Sequence, residues 1–121
     1  MKIILCLALV GVVSITTGFA QEPAEGGRHF IVLYTLGEHW DPARQAHEQV
    51  YFKEHSAHLQ ALRKSKKISL GGRYSDTGML LLKATDEAEA ERLIMNDVAV
   101  QNKLFTVKIF PFDEFYKGCI E

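Results

Sequence analysis

Apolar and polar positions along this chain follow two periods, and each change of period marks an element. His29 to Leu36 carries Phe-Ile-Val-Leu-Tyr at its centre. Such a β-rich run without polar alternation predicts a strand buried on both faces. Gly37 ends it, and Glu38-His39-Trp40-Asp41-Pro42 forms a polar, aromatic loop in which Trp40 and His39 read as lining a loop or a cleft mouth. Asp41-Pro42 offers a helix entrance, Asp as the cap and Pro in the first turn, with a later start as the alternative. The period is then helical: Tyr51, Phe52, His55, His58, Leu59 and Leu62 share one stripe, while Lys53, Gln60 and Lys64 face away. Arg63-Lys64-Ser65-Lys66-Lys67 reads as the C-terminus of that helix, where cations favour the dipole.

Ile68 to Tyr74 predicts a second strand, interrupted by Gly71-Gly72. Adjacent glycines weaken a strand unless something approaches its backbone closely or the strand bends. Ser75-Asp76-Thr77-Gly78 supplies turn chemistry, and Met79 to Ala84 completes a hairpin. Thr85 or Asp86 caps a second helix, with Asp86 and Glu89 at capping-box spacing and Ala90, Leu93 and Ile94 on the inner face. Asn96-Asp97 ends it, Val98 to Asn102 is a turn or an extra helical turn, and Leu104 to Phe112 is a fourth strand before an aromatic-bearing tail. The order β-α-β-β-α-β predicts the α+β class, a ferredoxin-like four-stranded antiparallel sheet with two helices on one face. Two helices cover one sheet face only, yet the first, third and fourth strands are apolar on both sides. A homodimer joined through the bare face is therefore expected.

The first residues read differently. Lys2, the apolar run from Ile3 to Val13, and a small polar exit with Gly18 and Ala20 resemble a secretory signal peptide cut after Ala20. That run is too short for a membrane span, which needs about 20 apolar residues. Residues 1–20 are thus expected to be removed, 21–28 form a flexible leader, and 29–121 form one domain outside the cytoplasm, periplasmic or secreted. Lys2 leaves with the signal, so the net charge of −1 becomes one unit more negative. Neither nucleic acid nor an anionic membrane is implied as a partner. Cys119 becomes the sole cysteine, which excludes an intrachain disulfide and gives it no role.

Candidate chemistry centres on His55, an imidazole in the middle of a stripe that docks onto the core. A buried imidazole must be hydrogen-bonded, shifted in pKa or used. Helix one and helix two run antiparallel on one sheet face, which brings His55 and Asp97 toward the same edge. A carboxylate accepting from one ring nitrogen fixes the tautomer and raises the basicity of the other. No Ser or Cys stands in a nucleophile motif. His55 and His58 with His47 or Glu54 could hold a metal, but the chain lacks His-Glu-x-x-His, so neither metal nor cofactor is expected. Gly71-Gly72 lacks the helix start and lysine of a phosphate loop. A core histidine beside a turn-capping aspartate is the structural alternative.

Glu54-His55-Ser56-Ala57-His58-Leu59, then Gly71-Gly72, Asn96-Asp97 and Leu104-Phe105-Thr106-Val107, resemble the YCII-related family across residues 29–117. The resemblance implies a ferredoxin-like fold paired as a dimeric α+β barrel. It also implies a His–Asp pair at a cleft, falling on His55 and Asp97, and a glycine falling on Gly72. Two positions depart from the pattern: Arg73 stands where members often have Pro, adding a cation near the cleft, and Val98 follows Asp97 where Pro is frequent. The resemblance implies a site architecture; acid–base chemistry by the pair in it leads to the expectation of a small lyase- or isomerase-like enzyme acting on a small organic molecule. His55 and Asp97 would be catalytic, and Gly72 and Arg73 would bind substrate. The alternative is a non-catalytic domain binding a small ligand in the same cleft.

Overall fold

The computed structural model describes residues 26–118. The expected signal segment, most of the leader and Cys119 lie outside the described residues. Strand β1 (Arg28–Leu36) is followed by a single 3-10 turn (Ala46–Glu48) and helix α1 (Phe52–Lys64). The hairpin β2 (Ile68–Tyr74) and β3 (Thr77–Ala84) leads to α2 (Glu87–Met95), a short α3 (Val98–Gln101) and β4 (Phe105–Phe112). The sheet order is β2-β3-β1-β4, with every neighbouring pair antiparallel. This α+β architecture is consistent with the ferredoxin-like arrangement.

One sheet face carries the core. Phe30, Val32 and Tyr34 of β1 and Leu80 and Leu82 of β3 are buried against Leu62 of α1, Ala90 and Ile94 of α2, and Val100 of α3. The reverse face is apolar as well: Ile31 sits across from Leu81 and Phe110, and Leu33 across from Met79. Phe110 there is 49% exposed. Burial of the first strand is thus complete on one side and partial on the other.

Helix α1 begins at Phe52, well beyond Asp41-Pro42. Asp41 instead closes a local turn, its Oδ1 accepting from the Ala43 N–H at 2.9 Å. The last residue before the helix, Tyr51, takes a left-handed conformation with φ 70°, which turns the chain into α1. Gly37 explains why the loop starts where it does. Its N–H donates to the Leu104 carbonyl at 2.8 Å, and a Cβ there would collide with the Lys103 carbonyl. Only glycine permits that approach.

The start of α2 follows the capping logic with one shift. Asp86 Oδ1 accepts from the Glu89 N–H at 2.8 Å, but Glu89 reaches back to the Thr85 N–H, at 2.5 Å, rather than to that of Asp86. Glu89 also accepts from Lys67 Nζ at 3.1 Å, tying α2 to the entry of β2. These hydrogen bonds, from Thr85 first and Lys67 second, lower the Glu89 pKa from 4.5 to about 2. A folded-state value below the unfolded one contributes stability that is present above pH 4.5 and disappears as pH falls to about 2. Glu89→Gln is therefore expected to lower the melting temperature at neutral pH and to converge with the parent near the bottom of that window. Thermal melts across the acid range measure the gap. A gap that does not change with pH contradicts this assignment.

Candidate functional site

The site is built where the first turn of α1 meets the link between α2 and α3. The His55 N–H donates to the Tyr51 carbonyl at 2.9 Å, so the helix-starting turn fixes the position of this side chain. Asp97 stops α2 and caps α3: its N–H donates to Ile94 O at 3.1 Å, and its Oδ1 accepts from the Ala99 N–H at 2.9 Å. That cap aims the second oxygen, Oδ2, at His55. Nδ1 of His55 lies 2.5 Å from it.

Burial decides how this pair behaves. Asp97 is 0% exposed and His55 is 8% exposed. A carboxylate without water must be fully hydrogen-bonded, and each Asp97 oxygen has a donor. A carboxylate here accepts from Nδ1–H, and in that tautomer the lone pair of the imidazole is on Nε2. Among the described residues Nε2 has no hydrogen-bond partner. The imidazole is one wall of a cavity of about 440 Å³.

Aromatic rings surround it. The Phe105 ring centroid lies 4.6 Å from that of His55, Tyr34 lies 5.3 Å away, and Phe52 lies 6.0 Å away. Trp40 extends this wall, 5.8 Å from Phe105. On the hairpin side the same cavity is lined by Gly71, Gly72, Arg73, Asp76 and Gly78. The four residues singled out from the sequence are thus together: His55 and Asp97 are bonded, and Gly72 and Arg73 line the cavity that His55 faces. His58 goes elsewhere, its Nε2 2.9 Å from the Leu93 carbonyl. Among the described residues no group of three or more His, Cys, Asp or Glu side chains is placed to hold a metal.

Three contributors escape a reading of the sequence. Tyr34 is 4% exposed, and its hydroxyl is the one buried side-chain polar atom without a partner among the described residues. Burial, and behind it the Asp97 carboxylate, raises the Tyr34 pKa, so the phenol stays a neutral donor. A buried unpaired hydroxyl costs about 1–3 kcal/mol, which marks this position as one where packing alone does not explain the residue. The only hint in the sequence is a polar-tipped ring in an otherwise aliphatic strand. Phe105 reads as an ordinary strand residue.

Gln49 is the third. It is 6% exposed and pins the loop that carries Trp40. Its Nε2 donates to Asp41 O at 2.6 Å and to Arg44 O at 3.2 Å, and its Oε1 accepts from the Asp41 N–H at 3.0 Å. No local pattern announces such a role.

Comparison of the chain with protein-family models, curated proteins and solved structures returns no match.

Gln49→Ala leaves the Asp41 and Arg44 backbone groups unpaired beneath the loop. The expected cost is about 1–3 kcal/mol in denaturant unfolding. A red shift of emission from Trp40, the only tryptophan, should accompany it. Unchanged stability and emission contradict the pinning role.

Proposed function

We propose that the protein is a cofactor-independent acid–base enzyme of the lyase or isomerase type, acting on a small organic molecule in the cavity beside His55. The observation that carries the reading is the 2.5 Å bond between His55 Nδ1 and fully buried Asp97, with Nε2 unpartnered on a ring that lines a cavity of about 440 Å³. His55 Nε2 takes a proton from the bound molecule or returns one. Asp97 holds the tautomer and stabilises the imidazolium that forms. Arg73 draws an anionic group to the hairpin side, where Gly71 and Gly78 leave the strand bare; Gly72, paired with Met79 of the reverse face, borders the cavity by its backbone alone. The resemblance to the YCII-related family points the same way.

A homodimer belongs to this proposal. The reverse sheet face presents Ile31, Leu33, Met79, Leu81 and the 49%-exposed Phe110 in register. Lys108, across from Leu33, interrupts this face at its β4 edge, and the apolar remainder is of a kind rarely left to water; a second copy packed face to face removes it. A binding role without turnover uses the same cavity, favoured by the Trp40, Phe52 and Phe105 wall, which needs no chemistry to hold a ligand.

The structure selects the informative substitution. Asn places its amide nitrogen where His carries Nδ1, so His55→Asn keeps a donor for Asp97 while deleting Nε2. Removing the donor outright strands a buried carboxylate at a cost of about 3–5 kcal/mol, and His55→Ala would confuse folding with function. Across a panel of small organic acids and phenolics, His55→Asn is expected to melt near the parent and sediment as the same dimer. Its turnover should fall about a hundredfold or more. Asp97→Asn should also lose rate, because its amide favours the opposite tautomer. Full turnover by folded His55→Asn contradicts the catalytic reading, and a stable monomer contradicts the dimer.

A further inference from the structure

We infer that the cavity beside His55 is a slot for a flat, conjugated ring bearing an acidic group, an aromatic or enolic acid rather than a saturated one. The inference rests on the proposed use of this cavity and names the class of molecule it takes.

The two sides of the cavity differ in kind. In the sheet order β2-β3-β1-β4, Phe105 stands on one edge strand and Gly71 and Gly72 on the other. Between them Tyr34 of β1 and Gly78 of β3 are paired in register. The Phe105 side is a cluster of aromatic rings set edge-on or tilted to one another. The Phe105 ring centroid lies 6.0 Å from that of Tyr34, 5.8 Å from Trp40 and 6.5 Å from Phe52, besides His55. The hairpin side is bare backbone at Gly71 and Gly78, flanked by the side chains of Leu80 and Arg73. A Cβ at Gly71 would already press on Leu80 Cδ2 at 3.2 Å, and one at Gly78 would stand 3.6 Å from Tyr34 Cβ. Rings on one side face bare backbone at Gly71 and Gly78 on the other, with the Leu80 side chain between them. A planar ligand gains face and edge contacts with the rings, whereas a puckered ring of the same formula does not fit them as closely.

Charge sets the second requirement. Arg73 and Asp76 line the hairpin side together, and no ion pair joins them among the described residues. The guanidinium is therefore free for a carboxylate, which it holds in a two-pronged geometry. Asp76 disfavours a ligand that presents bare anionic charge at its own position, so the acidic group must be local to one end. The opposite end then reaches Nε2 of His55.

The experiment uses the protein with Trp40 as its reporter, the only tryptophan in the chain and a lining residue of the cavity. Benzoate and cyclohexanecarboxylate match in charge and nearly in size but differ in planarity. Benzamide matches benzoate in shape without its charge. Quenching of Trp40, checked by calorimetry, is expected to show benzoate binding about tenfold more tightly than cyclohexanecarboxylate. Arg73→Gln should weaken benzoate about tenfold and leave benzamide unchanged. Equal affinity for the flat and puckered acids overturns the inference, and so does the absence of saturable benzoate binding at millimolar concentration. His55→Asn separates the two claims. Planar selectivity retained in a protein that turns over nothing removes catalysis but keeps the ligand class. Turnover confined to saturated, puckered substrates removes the class but keeps the dyad.

Discussion

A carboxylate with no access to water has to be answered by donors, and Asp97 organises the molecule around that need. Its Oδ1 is taken by the Ala99 N–H and its Oδ2 by His55 Nδ1. The first bond caps α3 directly after α2, and the second fixes α1 to that junction. Three helical elements thus converge on one buried ion. Because the carboxylate interaction is lost if any of them drifts, the pair demands a well-defined register between helices whose other contacts are largely non-directional apolar packing.

The surroundings of the pair follow from the same constraint. With Nδ1 committed to Asp97, only Nε2 remains for chemistry. The rings of Phe105, Tyr34 and Phe52 pack around the imidazole and restrict its rotation. Gly37 brings the loop against the Lys103 and Leu104 carbonyls, and Gln49 holds its far end, which places Trp40 beside Phe105. The aromatic wall is therefore assembled from three separate stretches of chain. Its low polarity strengthens whatever electrostatic contact a ligand makes with Nε2 or Arg73.

How much of this could be read beforehand depends on how local the determinant is. The elements were legible because their periods are strong, and His55 stood out as a titratable group in an apolar helical stripe. Asp97 was legible as a helix-ending acid, and its meeting with His55 followed from the antiparallel helices on one face. The start of α1 was not. Asp41-Pro42 has capping chemistry, but Asp41 spends it on a turn to Ala43, and the left-handed Tyr51 sets the start instead. Tyr34, Phe105 and Gln49 were invisible for a related reason. Each acts through partners distant in sequence or through loop carbonyls, and nothing in its immediate neighbours encodes them. Arg73 and Gly72 could be placed near the cleft, while the bare backbone that Gly71 and Gly78 turn toward Leu80 and Tyr34 needed the three-dimensional register.

The central claim is that Asp97 accepts from Nδ1–H of His55 and leaves the Nε2 lone pair facing the cavity. Long-range nitrogen–proton NMR on protein labelled with ¹⁵N-histidine reads that tautomer directly, once His55 is assigned by its absence in His55→Asn. The account predicts a neutral His55 with a protonated Nδ1 and a bare Nε2, and a loss of that preference in Asp97→Asn. A neutral His55 carrying its proton on Nε2 would contradict it.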